Sequence, residues 1–479
     1  MPKATMAKAM PKAVVLGGGL AGMLAAAALS RGVDTITVIE RDQLPDSPRP
    51  RRGLPQGHHS HILMRGGAEA FDQLLPGTTD LLYGAGAKRR GLPYEALARG
   101  PEGWMERLDT DAYLLLCSRD LLDHVVRQQA LREGRLTLVE STKVLGLVGD
   151  MSRVTGVRVE HSTRGESTIG ADIVVDATGR YSEAPDWLAG LGLPRVREEV
   201  VDAGIAYVSR WYEAPPGTRE DFPGVMIQLQ PGTGKPGRGA GLLPMEDGRW
   251  ILSLFGSRGG EPPTSEEGFV EFARQRHHPI IAELIAQALP AGPIRAYRGI
   301  PDRQRRFEKL PMPEGFLVIG DAASALNPVH GTGMSVAAQC AQLLGTELAK
   351  SGPGLGLTRR VQAGIAKINT GAWRLAVGTD QGLPEVRSNI KLRGGELANR
   401  LAARVARTGC SNRDVINTVF SVASLCAPVT RMMSPSFLRH VIRGPRRPAL
   451  TAEQAIAQFP EFGDLVKSPS TSGSAAEQP

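Results

Sequence analysis

Six residues, Gly17-Gly18-Gly19-Leu20-Ala21-Gly22, carry the spacing G-x-G-x-x-G between an apolar run, Ala13 to Leu16, and an Ala/Leu-rich segment, Met23 to Arg31. That spacing serves the binding of a pyrophosphate. Gly17 permits a tight turn, Gly19 lets the backbone approach phosphate oxygens, and Gly22 allows a helix to pack closely on a strand. The helix start, at Leu20 and Ala21, then turns free N–H groups toward the anion. A second strand-like run from Thr35 closes on Glu40, with Arg41 beside it, at the distance expected of a carboxylate that accepts from ribose hydroxyls. A purely structural glycine turn would leave Glu40 unexplained. Strand, turn, helix, strand and terminal acid together read as a dinucleotide site.

Some three hundred residues later, Gly315-Phe316-Leu317-Val318-Ile319-Gly320-Asp321 places an aspartate at the end of a buried strand. Asn327-Pro328-Val329-His330-Gly331-Thr332-Gly333-Met334 follows it before a helix. Taken alone, Asp321 reads either as a polyol ligand or as an ordinary helix cap. The two motifs together resemble the FAD site of the class A flavoprotein monooxygenase superfamily. The resemblance implies that Asp321 holds the ribityl chain and that Gly331, Gly333 and Met334 bring backbone N–H groups to the isoalloxazine. It also implies that Arg119, in Cys117-Ser118-Arg119-Asp120-Leu121-Leu122, lies near the ribityl and phosphates.

A third segment, Arg52-Gly53-Leu54-Pro55-Gln56-Gly57-His58-His59-Ser60-His61-Ile62-Leu63, resembles a loop of the flavin epoxidases of polyether-ionophore biosynthesis, the lasalocid and monensin types. So do Leu75 to Asp80 with Gly84 to Ala87, Val174 to Arg180, and Asp302 to Leu310. The likeness runs from about Ala13 to Lys350 and fades beyond. It makes Gln56, His58, His61 and Pro328 candidates for the substrate or flavin edge, although His58 stands where those enzymes usually carry Arg. The activity implied is epoxidation of a large apolar polyene, polyketide or terpenoid intermediate, free or carrier-bound, with O₂ as cosubstrate and a flavin C4a-hydroperoxide as oxidant. Such a route needs no catalytic metal, and none is expected at His58, His59 and His61, where no Cys or carboxylate completes a ligand set. Hydroxylation or halogenation of an aromatic metabolite is the alternative, although the Trp-x-Trp-x-Ile-Pro motif of tryptophan-type halogenases is missing. A cyclase or isomerase that keeps FAD without redox turnover is the alternative of another class.

Electrons would come from NAD(P)H, directly or through a separate flavin reductase. The second route is favoured because no further G-x-G-x-x-G sits in a strand–helix context. Gly237 to Gly241 reads as a flexible loop, and Asp176-Ala177-Thr178-Gly179 departs from the Asp-Gly pair of hydroxylases that NAD(P)H reduces directly.

These residues require an α/β fold. A Rossmann-like FAD-binding domain of the glutathione-reductase type is expected, with an inserted antiparallel substrate sheet and a helical C-terminal region. The expected boundaries are 1–184 for the first part of the FAD domain, with a long loop at 41–66, and 185–300 for the substrate sheet. Residues 301–350 complete the FAD domain, 351–466 form the helical region, and 467–479 form a disordered tail. The 479 residues are 41% hydrophobic and 22% charged, ordinary for a globular protein. The net charge of +8 is spread along the chain without a basic block, so no nucleic-acid partner is expected. Four widely spaced cysteines suggest neither disulfides nor zinc, and a reducing cytoplasm is the expected location. The glycines at 17–19 interrupt the one N-terminal run that resembles a membrane span. Phe437 to Arg443 is a short basic amphipathic stretch that most simply packs on its own domain.

Overall fold

The computed structural model describes residues 11–466, apart from 133, 392–395 and 446. The expected tail at 467–479 lies outside the described residues. Three short β-rich runs, Ala13 to Leu16, Ile173 to Asp176 and Phe316 to Val318, are wholly buried, as strands covered on both faces must be. With two partly exposed strands they form a five-stranded parallel sheet in the order Phe316–Val318, Ile173–Asp176, Lys12–Leu16, Thr35–Ile39, Leu136–Val139. Three chain segments thus build one sheet, as the motifs require.

Helix Leu20–Leu29 packs against this sheet and against helix Gly333–Ser351. Its alanines allow the approach: Gly345 lies so near Ala28 that an added Cβ would sit 3.4 Å from it. An antiparallel three-stranded sheet, Thr142–Gly149, Val154–His161 and Gly165–Gly170, covers the same domain.

The second layer is an eight-stranded sheet centred on Ala206–Glu213, Arg249–Gly256, Arg238–Pro244 and Gly224–Ile227. The hairpin expected around Glu246-Asp247-Gly248 forms there, with Asp247 and Gly248 both at positive φ. Two expectations need correction. Arg238–Gly241 is strand and not loop, paired residue by residue with Ser253–Gly256. The sheet also recruits Ala96–Gly100, parallel to Gly224–Ile227, from the segment assigned to the FAD domain. A one-sequence periodicity shows that Ala96–Gly100 is apolar; it does not show a partner more than a hundred residues away.

The stretch 41–66 is irregular only to His61. It contains a 3₁₀ turn, Pro55–His58, then strand Ile62–Met64 and the start of helix Arg65–Leu74. The C-terminal helices divide between the two layers. Leu357–Asp380 packs on the FAD domain, whereas Phe459 and Phe462 join the core behind the substrate sheet. Phe437 and Val441 are buried against Val415, so the amphipathic stretch does pack inward. No helix among the described residues is long and apolar enough to cross a membrane.

Candidate functional site: one cavity joining both motifs to an apolar chamber

The parallel strands all end at one edge, and there the chain leaves a cavity of about 1060 Å³. Gly17, Gly19, Leu20, Ala21, Glu40, Arg41, Arg119, Asp321, Gly331, Gly333 and Met334 all line it. Gly22 does not. Its role is packing, since a Cβ there would fall 1.8 Å from the Gly17 carbonyl oxygen. Gly17 adopts φ 97°, and a Cβ on it would meet the Ala177 carbonyl at 2.8 Å. Gly19 is open by comparison, with only Arg51 Nη2, at 3.5 Å, near the place of a Cβ. The turn is therefore bare backbone facing the cavity, with the N-terminus of helix Leu20–Leu29 behind it.

Glu40 is buried and works locally as well. Its Oε2 accepts from Gly18 N at 2.8 Å, and its Oε1 accepts from Asp42 N at 3.0 Å. Arg51, which the sequence reading passed over, stands between Glu40 (3.4 Å) and Asp123 (3.7 Å). Arg119 donates to Asp123 at 2.6 Å. Arg41, Arg51, Arg52 and Arg119 thus place positive charge on the wall next to the glycine turn.

Asp321 accepts no hydrogen bond from any described residue. Burial pushes its carboxyl above the usual range, opposed by the charges of Arg180 and Arg119. A half-buried carboxylate with no donor among the described residues, near Arg180 and Arg119, suits a polyol joined to an anion. These features fit FAD: the glycine turn and arginines would hold the pyrophosphate, Glu40 the adenosine ribose, and Asp321 the ribityl chain. The turn Pro328–His330 leads into Gly331 at φ 65°, where a Cβ would lie 2.8 Å from Ile62 Cδ1. That contact presses the turn against strand Ile62–Met64 and fixes the wall of the flavin edge.

Of the edge candidates, Gln56, His61 and Pro328 line the cavity, and His58 does not. His58 ends the 3₁₀ turn and points elsewhere; the extended backbone that follows brings in His59 instead. His59 Nδ1 is 2.8 Å from Ser209 Oγ, which is 2.6 Å from Ser253 Oγ, and Ser60 N donates to Ser253. Burial, then the neighbouring His58, lowers His59 to about 4. Burial, then Arg119, lowers His61 to about 3, against its bond to the His59 carbonyl. Both rings are neutral near neutral pH. Tyr207, also on the wall, donates to Asn327 Oδ1 at 3.0 Å.

Beyond the flavin edge the wall turns apolar, with Leu92, Leu114, Met226, Leu243, Phe420 and Met432. The last two come from the C-terminal region, where sequence reading found helices but no role. Only their long-range packing reveals one.

Comparison with known proteins agrees with this geometry. The profile of the FAD binding domain family matches residues 10–360. Protein Rv3254 of Mycobacterium tuberculosis is 33% identical over 341 residues, covering 68% of this chain and 70% of its own. A kynurenine 3-monooxygenase of Salinispora tropica is 26% identical over 353 residues, again 68% and 70%. Among solved structures, the flavin-dependent brominase Bmp2 superposes with a TM-score of 0.63 at 14% identity, covering 90% of this chain and 98% of the other, a likeness of fold. The chain therefore belongs to the FAD-binding domain family, with FAD as its cofactor.

Proposed function

We propose that the protein is a FAD-dependent monooxygenase that epoxidises carbon–carbon double bonds of a large, mostly apolar biosynthetic intermediate, such as a polyene, polyketide or terpenoid. The observation that carries this reading is the continuity of the cavity: the flavin edge opens directly into the chamber of Leu92, Leu114, Met226, Leu243, Phe420 and Met432. Bound FAD, once reduced, supplies the activation of O₂. The chain's own residues orient an apolar chain against the flavin edge and exclude water from it. In balance, one oxygen atom of O₂ enters the substrate and the other leaves as water, with two electrons drawn from NAD(P)H.

Phenol hydroxylation is the competing oxygenation; among the described residues His59, His61 and His330 line the cavity, and His59, whose ring bonds Ser209 on the substrate sheet, is the candidate base. Its acidity argues against that role. Moving a proton from a phenol of pKa about 10 to a base of about 4 is uphill by roughly 8 kcal/mol. An alkene needs no such ionisation. Gln56, His61 and Pro328 are proposed as the residues that contact the substrate or flavin edge.

The test supplies reduced FAD enzyme with ¹⁸O₂ and a series of polyenes and phenols, and follows label by mass spectrometry. One labelled oxygen per epoxide is expected. Turnover that is indifferent to O₂, or label that appears only on phenols, overturns the reading.

A further inference from the structure

Behind the flavin-edge turn lies a group of ionisable side chains that the proposed chemistry does not use. Asp302 opens strand Asp302–Arg305, His330 ends the turn Pro328–His330, and Asp380 ends helix Leu357–Asp380. Both aspartates are buried, at 1% and 0% exposure, and one side-chain atom from each of the three lies within 4.8 Å of the others. His330 Nε2 is 3.2 Å from Asp380 Oδ1. Asp302 Oδ1 accepts from Asn327 N at 2.6 Å, but among the described residues Asp302 Oδ2 and both Asp380 oxygens lack a donor in hydrogen-bond geometry, His330 Nε2 included.

Two ionised carboxylates confined with one imidazole leave uncompensated charge where water cannot reach, an arrangement that proteins avoid. One additional proton removes the difficulty. Carried on Asp302 Oδ2, it is donated to Asp380, while His330 Nε2–H serves the other Asp380 oxygen. Every unpartnered oxygen then has a donor, and the helix end, the strand start and the turn are joined. We propose that Asp302, Asp380 and His330 form a proton-sharing clasp that holds the Pro328–Gly331 turn in its flavin-facing position. They are positioning residues, acting through the turn. The inference rests on the FAD site and is independent of the proposed substrate.

The titration behaviour agrees. Burial first, then the charge of Asp380, raises the Asp302 carboxyl. Burial works against a charged His330, but Asp380 and Asp302 outweigh it and raise the ring's pKa. The other groups facing the clasp are Tyr207 on the substrate sheet and, through Tyr207, Arg180. Burial and the two aspartates raise Tyr207 well above its usual value, so it stays neutral. Arg180 donates to the carbonyls of Pro301 and Leu326, on both sides of the clasp. The sign follows: a carboxyl raised from about 4 contributes fully below that value, and its contribution is lost as pH rises from there through the raised value.

The experiment measures FAD dissociation from the purified holoprotein by flavin fluorescence between about pH 6 and about pH 9. Wild type, Asp380→Asn, Asp302→Asn and His330→Gln are compared. For wild type the dissociation constant should rise with pH across the range, by at most about tenfold per pH unit, the limit for one linked proton, and level off once the clasp itself has lost its proton. Asp380→Asn should stay within about twofold across the range, because its amide donates without titrating. Asp302→Asn should be equally flat and serves if Asp380→Asn does not fold. His330→Gln should keep the slope but level off at higher pH, because the ring charge that lowers Asp302 is gone. A flat wild-type profile, or Asn variants with the wild-type slope, overturns the clasp. So does a stoichiometric first-row metal in the purified protein, because a cation would then occupy the proton's place.

Discussion

Glu40 and Asp321 are both cavity-facing carboxylates, but their surroundings differ. Glu40 already accepts two backbone N–H groups, whereas Asp321 has no donor among the described residues. Asp321→Ala should therefore remove bonds made only with the cofactor and weaken FAD binding by roughly 10- to 100-fold, as loss of a charged hydrogen-bond partner does. Glu40→Ala should also lower retention and, by freeing Gly18 N and Arg51, loosen the turn itself. Equilibrium dialysis of FAD against each variant measures both effects, and full retention by both would refute the placement of the cofactor. These two residues were legible because each ends a buried strand at a fixed distance from glycines. His59, Arg51 and Asp380 were not. His59 lies next to His58, and only the 3₁₀ turn at Pro55–His58 decides which ring faces inward. Asp380 has its partners Asp302 and His330 at separations that no local pattern encodes.

At the scale of elements, the parallel sheet could be read from sequence because its strands are short, apolar and punctuated by glycine. The membership of the antiparallel sheet could not. Ala96–Gly100 pairs with Gly224–Ile227 across more than a hundred residues, and Arg238–Gly241 has glycines that suggest a loop until their partners are seen. The helix Arg413–Ala423 is the informative case, since it brings Phe420 to the cavity wall, into the apolar cluster of Leu114, Leu243 and Met226. Phe420→Ala should thus raise KM for an apolar substrate by roughly 10-fold, the worth of about half a phenylalanine's burial, with kcat nearly unchanged. FAD content should be unaffected. Loss of flavin along with the KM change would mean that this helix supports the cofactor instead.

For the whole molecule, both layers serve one cavity, and neither supplies a second dinucleotide site of the kind at Gly17–Gly22. We therefore expect NADPH alone to reduce bound FAD slowly and without saturation, and a separate flavin reductase to accelerate turnover by more than about tenfold, given that reduction otherwise lacks a positioned donor. Stopped-flow absorbance of the flavin decides the matter; rapid, saturable reduction by NADPH alone would exclude the need for a partner. The sheet's three-segment construction has a further consequence. Strand Ile173–Asp176 gains its outer neighbour only when Phe316–Val318 arrives, so the nascent chain keeps an open sheet edge for well over a hundred residues of synthesis. FAD, held as proposed, would touch the turn after the first strand and the aspartate after the last. It thus acts as a reversible staple between distant parts of the chain, and cellular flavin supply becomes a determinant of how long the folded protein survives. At a hundredfold excess over its dissociation constant the staple adds about 2.7 kcal/mol, enough for riboflavin starvation to thin the population of this protein before it limits the catalysis of any single molecule.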